Sequence, residues 1–264
     1  MWEGDLWVAL RAARAGAEEV LAGAGTDFLT EMKGNVDPVT EVDERAETAI
    51  RVNIATHFPN DSILGEEGGG ADWKKGRVWI IDPIDGTINF VHAIPQFSVS
   101  VALWDDGVPL IGVVIDVMRQ EEFVAIRGEG ARLNERKIKV SDTPSMNEAL
   151  LATRFPYDRQ EHAREYLDVV GTVLENAQGM RRMGSAALDL AWVACGRFDG
   201  YWEYGIQPWD AAAGVLLVSE AGGMVTDHTG AGNDLDARAC IATNGKIHDE
   251  LQSIVAAGFP HHLT

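Results

Sequence analysis

Two aspartates at the end of an apolar run are the residues best placed to do chemistry. Segment 79–87 (WIIDPIDGT) predicts a buried strand that ends at Asp82, with Asp85 three residues later and Gly86-Thr87 opening a helix. Carboxylates this close repel each other unless a cation lies between them, and hard cations take oxygen ligands. A helix start also offers free backbone N–H groups that suit a phosphate. The alternative is an acidic turn in which Asp85 caps the helix.

Two further acidic sites are ambiguous when each is taken alone. Glu66-Glu67 ends a short apolar strand just before three glycines, and a pair of this kind is commonly a solvated loop. Asp210 opens an alanine-rich helix, where an aspartate is commonly only an N-cap. Their order along the chain, together with segment 79–87, favours a shared role.

These segments together resemble the inositol monophosphatase family, within the wider group of lithium-sensitive, metal-dependent sugar phosphatases. The matching segments span nearly the whole chain and are 37–43 (DPVTEVD), 65–67 (GEE), 79–90, 184–187 (GSAA), 203–214 and 220–223 (EAGG). The resemblance implies an α/β fold, a layered α-β-α-β-α sandwich of the inositol monophosphatase and fructose-1,6-bisphosphatase type. It also implies hydrolysis of inositol monophosphate by a metal-activated water.

The resemblance further implies roles for individual residues. Two or three Mg²⁺ per site would be held by Glu66, Asp82, the Ile84 carbonyl, Asp85 and Asp210. Catalysis would rest on Thr87, Asp43 and Glu66, the first two acting on the attacking water. Substrate would contact Asp85, Gly86, Thr87, Gly184, Ser185, Ala186, Glu203 and Asp210, with Gly184, Ser185, Ala186 and Glu203 around its alcohol part.

The surrounding pattern predicts the elements that position these groups. Helices are expected at 5–22, 41–57 (with Thr40 as N-cap), 160–175, 185–195 and 210–221. Strands are expected at 62–67, 77–82, 97–104, 110–118, 121–127 and 137–140. Residues 1–145 would form an N-terminal lobe with most metal ligands, and residues 146–264 a C-terminal lobe with the substrate pocket and Asp210.

Charge and composition narrow the classes of partner. The chain has 264 residues and a formal net charge of −19, which disfavours direct binding of nucleic acid or an anionic membrane. An anionic substrate is repelled too, so bound cations must supply a local positive field. The chain lacks a run of ~18 apolar residues and a signal-peptide pattern, which predicts a cytoplasmic protein. Cys195 and Cys240 are expected in the core rather than in a disulfide.

Several alternatives stay open. The substrate could instead be histidinol phosphate, fructose 1,6-bisphosphate or a 3′-phosphoadenosine nucleotide, or the chain could be a non-catalytic partner protein, for example in transcription complexes. Relatives commonly form homodimers, so a homodimer is expected. Lys33, Arg181 and Arg182 could approach the site or remain solvated. The glycine-rich loop 68–76 could be a flap over the metals or a plain surface loop.

Overall fold

The computed structural model describes residues 2–32, 38–232, 234–237, 239–260 and 263. Lys33 and Asp37, which were named from the sequence, lie outside these residues. The helices of the described part are α1 (Glu3–Gly23), α2 (Glu41–His57), α3 (Thr87–Val91), α4 (Arg159–Asn176), α5 (Ala186–Ala194), α6 (Pro208–Glu220) and α7 (His248–Ala257). Within the described part, no helix has both the length and the apolar character needed to cross a membrane.

The strands belong to three sheets. They are β1 (Thr30–Met32), β2 (Pro38–Thr40), β3 (Ser62–Gly65), β4 (Gly69–Gly70), β5 (Arg77–Asp85), β6 (Ser98–Asp105), β7 (Val108–Asp116), β8 (Glu121–Ile126), β9 (Gly130–Leu133), β10 (Arg136–Lys137), β11 (Leu150–Thr153), β12 (Gly179–Arg181), β13 (Gly200–Tyr204), β14 (Met224–Thr226) and β15 (Ala239–Thr243). The two large sheets have the orders β10-β9-β8-β7-β6-β5-β3-β4 and β12-β11-β13-β15-β14, and β1 pairs with β2 alone.

Five layers stack in the order helices, sheet, helices, sheet, helices. Helices α1 and α2 cover one face of the eight-stranded sheet, and α5 and α6 cover the other. The same α5 and α6 contact the five-stranded sheet, whose outer face is covered by α4 and α7. The predicted α-β-α-β-α sandwich is therefore confirmed. One hydrophobic core around α5 and α6 takes residues from both large sheets. The predicted boundary between two lobes at residue 145 stays a prediction.

Strand β5 is buried because helices cover both faces of its sheet. Val78 and Ile80 point into the core shared with α5 and α6, and Trp79 and Ile81 point into the core under α1 and α2. This two-sided burial explains why the sequence reads as a continuous apolar run rather than an alternating one. The run carries the chain through the centre of the molecule and places Asp82 deep inside it.

Helix α2 begins where the sequence predicts. The Thr40 side chain accepts the backbone N–H groups of Val42 and Asp43, and the Asp43 carboxylate accepts the Thr40 N–H, which completes a capping box. The cap fixes the Asp43 side chain at the start of the helix. It is fully buried there, although a carboxylate in a first turn is usually exposed.

Three expectations about loops need correction or detail. Strand β8 pairs with β9 rather than with residues 137–140. The chain reverses at Gly128, where φ is +76°, and again at Asn134-Glu135, where φ is +45° and +67°, so that residues 136–137 pair with β9. Strand β3 ends at Gly65, so Glu66 lies in the following turn. Loop 68–76 contains β4 and the buried Trp73, whose indole N–H donates to Asp236. Cys195 and Cys240 are free and pack in or against the central core, as predicted.

Candidate active site

Three aspartates converge at the end of β5 and the start of α6. Oxygen atoms of Asp82, Asp85 and Asp210 all lie within 4.8 Å of one another. The pairing of β5 with β6 shifts register between Asp82 and Asp85, and an irregularity of this kind re-aims the side chains that follow it. Asp210 arrives from the first turn of α6, where it accepts the N–H of Gln207. Residues far apart in the chain thus form one acidic group.

Burying these three carboxylates together lowers the stability of the fold unless a cation is bound among them. Asp82, Asp85 and Asp210 are 1%, 2% and 6% exposed, and both oxygens of Asp82 and Oδ1 of Asp85 lack a hydrogen-bond partner among the described residues. Burial raises the pKa of Asp82 well above its ordinary value, and the charges of Glu66, Asp85 and Asp210 raise it further. Burial also raises the pKa of Asp85 to about 6, against a lowering by Arg154. Buried acceptor oxygens of this kind fit a hard divalent ion.

Glu66 lies in the turn after β3 and lines the same cavity, where its charge acts on Asp82, although it is outside the group of three aspartates. The turn is held from behind by Glu47, which accepts the N–H groups of Glu67 at 2.9 Å and Gly68 at 2.8 Å. Arg51 in turn donates to Glu47 at 2.7 Å and to the Gly69 carbonyl at 3.1 Å. No sequence pattern pointed to Glu47 or Arg51. Their spacing of four residues on α2 was the available signal, but it indicates only a helix-surface pair.

Thr87 and Asp43 lie together at the start of α3. The Thr87 hydroxyl is 2.9 Å from the Ile84 carbonyl oxygen and 3.4 Å from Oδ1 of Asp43. Oδ2 of Asp43 accepts from both the N–H and the hydroxyl of Thr40. The capping box therefore holds one carboxylate oxygen, and the other faces Thr87. The structure thus brings together the two residues expected to act on the attacking water.

Gly86 allows the chain to turn between the metal ligands and α3. Its φ is +103°, a conformation that residues with a side chain rarely adopt. A Cβ at this position would lie 3.0 Å from the Gln96 carbonyl oxygen and 3.3 Å from that of Gly184. Gly86 and Gly184 are therefore in close backbone contact, and both line the cavity.

A narrow, largely polar cleft opens onto the acidic group. Of the residues predicted from the sequence, it is lined by Glu66, Asp82, Ile84, Asp85, Gly86, Thr87, Gly184 and Asp210. Arg182 lines it as well, whereas Arg181 is exposed and donates to the carbonyl of its own neighbour Met180.

Ser185, Ala186 and Glu203 lie behind the cavity wall. Ser185 and Ala186 are fully buried, and the Ser185 hydroxyl donates to Oδ2 of Asp85 at 2.5 Å. Glu203 is 3% exposed and accepts from the Tyr201 hydroxyl, and burial raises its pKa to about 7. In this structure Ser185 orients a metal-site carboxylate instead of facing the cavity. Contact of these three residues with substrate stays a prediction.

Arg154 is a further charged residue of the site that no sequence pattern indicated. It follows β11, and its Nη1 lies 3.2 Å from Oδ1 of Asp210 and 3.6 Å from Oδ1 of Asp85. Its Nε is 3.8 Å from Oε1 of Glu203. The guanidinium thus offsets part of the negative charge but leaves both Asp82 oxygens unpaired. A divalent ion shared by Asp85 and Asp210 must compete with this guanidinium for the same oxygens.

The raised pKa values predict a pH-dependent effect of Mg²⁺ on stability. In metal-free buffer the native state holds more protons at Asp85 and Asp82 than the unfolded state from about pH 4 upward, so the free energy of unfolding falls as the pH rises. Mg²⁺ binds the deprotonated carboxylates. We therefore expect the Mg²⁺-induced rise in Tm to grow from about pH 5 to about pH 8. Thermal unfolding in EDTA and in MgCl₂, at matched ionic strength, measures it; a rise independent of pH would contradict the assignment.

The fold and site define a class of five-layered α/β proteins with a buried carboxylate site at the junction of a central strand and a helix. The inositol monophosphatase family model matches residues 3–258, and the chain belongs to this family. The family is metal-dependent, in agreement with the acidic group.

Three relatives place the chain within that family. It is 42% identical to "Nus factor SuhB" of Pseudomonas aeruginosa over 263 residues, which cover 97% of both chains. It is 43% identical to "Inositol-1-monophosphatase" of Synechocystis over 258 residues, covering 96% of this chain and 88% of the relative. The solved inositol monophosphatase of Anabaena superposes with a TM-score of 0.87 at 40% identity and 99% coverage of each chain. The chain is therefore similar both to proteins named as enzymes and to proteins named as Nus factors.

Proposed function

We propose that this chain is a Mg²⁺-dependent phosphatase that hydrolyses inositol monophosphate to inositol and phosphate. One observation carries the proposal: Asp82 and Asp85 have buried carboxylate oxygens without a hydrogen-bond partner among the described residues, and they line a cleft together with Thr87, which contacts Asp43. Family membership and the Synechocystis relative support the same reaction.

The metal ions supply a water of lowered pKa and positive charge for the phosphoryl oxygens. Glu66, Asp82, Asp85 and Asp210 would hold two or three Mg²⁺, together with the Ile84 carbonyl. Oδ1 of Asp43 is placed to take a proton through the Thr87 hydroxyl. The backbone N–H groups of Gly86 and Thr87 would bind phosphate at the start of α3. These roles rest on the family resemblance and on the contacts described above.

The inositol part of the substrate is assigned through Glu203. A carboxylate accepts hydrogen bonds from neighbouring hydroxyls of a polyol. Glu203 lies beside Arg154, which lines the cavity, so a shift of the Arg154 side chain would open a path to it. Other small phosphate esters, including histidinol phosphate, fructose 1,6-bisphosphate and a 3′-phosphoadenosine nucleotide, are the alternatives.

A panel of phosphate esters tests the proposed substrate. We expect inositol 1-phosphate to give the highest kcat/KM among monophosphates in MgCl₂, and we expect no phosphate release in EDTA, because the cations neutralise the transferring group. Phosphate release is measured with each ester at equal concentration. Higher kcat/KM for histidinol phosphate would overturn the inositol assignment, and release that persists in EDTA would overturn the metal mechanism.

A second candidate function is a partner role in a protein complex, favoured by the similarity to proteins named Nus factor SuhB. The net charge of −19 disfavours direct binding to nucleic acid. A pull-down with and without ribonuclease, using a variant that lacks phosphatase activity, separates this role from catalysis. The homodimer and the cytoplasmic location also stay predictions.

A further inference from the structure

Three charged side chains form a row along one face of α2. Asp43, Glu47 and Arg51 follow one another at intervals of four residues, so they lie on the same side of the helix. At one end of the row, Asp43 contacts the Thr87 hydroxyl. Glu47 and Arg51 contact the turn after β3, which carries Glu66. One helix therefore contacts both the pair expected to act on water and the turn with a proposed metal ligand.

The Glu47 carboxylate makes the main contact between this helix and the turn. It is 4% exposed, and its two oxygens accept the N–H groups of Glu67 and Gly68. The Arg51 side chain donates to the oxygen that accepts from Gly68, at 2.7 Å. Hydrogen bonds to an ionised acceptor are roughly twice as strong as those between neutral groups. Three such bonds hold this buried carboxylate, and two of them fix the backbone of the turn.

Glycines on either side of the Glu66-Glu67 pair make this contact possible. A Cβ at Gly65 or at Gly68 would lie 2.7 Å from Oε1 of Glu47, which is closer than Cβ atoms come to other groups. A side chain at either position would therefore push the turn away from α2. The glycines at 65 and 68 thus fit the carboxylate that lies behind them.

The front of the same turn faces the acidic group. The Glu66 N–H donates to the Ile81 carbonyl at 3.3 Å, next to Asp82 on β5, and the Glu66 side chain lines the cavity with Asp82. Glu47 itself is not among the residues that line the cavity. A shift of the turn would change the distance between Glu66 and Asp82, two proposed ligands of one ion.

We propose that Glu47 is a positioning residue that holds Glu66 at a fixed distance from Asp82 and from the Asp43–Thr87 pair. It acts through the backbone of the turn and touches neither ion nor substrate. Its position sets the affinity of the ion bound through Glu66 and the place of the water next to that ion. This inference rests on the proposed phosphatase function and adds a residue from outside the cavity.

Glu47→Gln in the full chain tests the inference. One of the two oxygens becomes an NH₂ group, which cannot accept a hydrogen bond, so at least one donor loses its acceptor. We expect Mg²⁺ binding, measured by calorimetric titration, to weaken about tenfold. At saturating Mg²⁺, kcat for inositol 1-phosphate should also fall about tenfold, because the attacking water is displaced. KM should change little, since the proposed phosphate contacts are on α3.

Glu220→Gln is the matched control. The Glu220 carboxylate also holds a glycine-containing turn by two backbone N–H groups, those of Gly128 at 2.8 Å and Gly130 at 2.9 Å. Glu220 ends α6, ten residues after Asp210 and thus ~15 Å away along the helix. The substitution removes the same charge and the same type of contact, and we expect Mg²⁺ affinity and kcat to be unchanged.

Gly68→Ala separates the position of the turn from its charge. Every charge is kept, but the new Cβ lies 2.7 Å from Oε1 of Glu47 and 2.6 Å from Nη2 of Arg51, so the turn must shift. We expect Mg²⁺ binding to weaken at least about threefold. If Glu47→Gln does not fold, this variant decides, and wild-type Mg²⁺ affinity in it overturns the inference.

The inference also fails if Glu47→Gln lowers Tm while Mg²⁺ affinity stays at the wild-type value, because Glu47 would then serve folding alone. Equal weakening of Mg²⁺ binding in Glu47→Gln and Glu220→Gln would reduce the effect to net charge and overturns it as well. Calorimetric titration needs no turnover. If no ester is hydrolysed but Glu47→Gln and Gly68→Ala both weaken Mg²⁺ binding, the proposed function fails and the positioning role stands.

Discussion

Replacing Asp82 with asparagine is expected to lower phosphate release on the order of 10³-fold or more, because it removes a charge that two metal ions would share under the proposed mechanism. The expected cost to folding is small. Neither oxygen of Asp82 accepts a hydrogen bond from the described residues, and the carboxylate lies buried among like charges. The neutral amide relieves this repulsion. In EDTA, we therefore expect Asp82→Asn to have a Tm equal to or above that of the wild type, and to show no increase with MgCl₂.

Asp189→Asn is the matched control. Asp189 is also fully buried, its two oxygens also lack a hydrogen-bond partner among the described residues, and it lies outside the group of three aspartates proposed to bind the metal. The same chemical change there should leave Mg²⁺-dependent stabilisation in place. If Asp82→Asn keeps normal turnover, or if both variants lose the Mg²⁺ effect alike, the metal assignment is wrong.

The second large effect is expected at Thr87. Thr87→Val keeps the shape of the side chain but removes the hydroxyl that links Asp43 to the Ile84 carbonyl. We expect kcat to fall about 10²-fold, since general-base catalysis of this kind contributes ~10²–10⁴-fold. KM for inositol 1-phosphate should change little, because the backbone N–H groups remain. Steady-state kinetics over a range of pH values measure both quantities.

Thr87→Ser tests whether the hydroxyl itself matters. Serine restores the oxygen without the methyl group, so activity should return to within about tenfold of wild type. The pH profile of the serine variant should keep the wild-type shape. A serine variant as inactive as the valine variant would assign Thr87 to packing alone.

The sequence predicted those parts of the structure that depend on local chemistry. Thr40 caps a helix because of its own hydroxyl, and the run before Asp82 is a strand because both of its faces are covered. The acidic residues were found because carboxylates at strand and helix ends follow a recognisable order. The family resemblance then allowed residues 66, 82, 85 and 210 to be grouped before any distance was known.

Other features depend on contacts between distant parts of the chain and had no local signal. Arg154 follows an unremarkable apolar strand, and only the tertiary fold brings it among the aspartates. Ser185 was assigned to the substrate pocket, but the helix it caps turns its hydroxyl toward Asp85. Residues 137–140 were predicted as the partner of β8, but β9 takes that place, and residues 136–137 pair with β9 instead.

The position of Arg154 bears on the stability of the protein in the absence of bound cations. Asp85 belongs to the eight-stranded sheet and Asp210 to a helix of the middle layer, while Arg154 directly follows strand β11 of the five-stranded sheet. A single guanidinium therefore links groups from three layers and supplies positive charge beside Asp85 and Asp210. We therefore expect the protein to keep its fold when a chelator is present and to bind cations again without refolding.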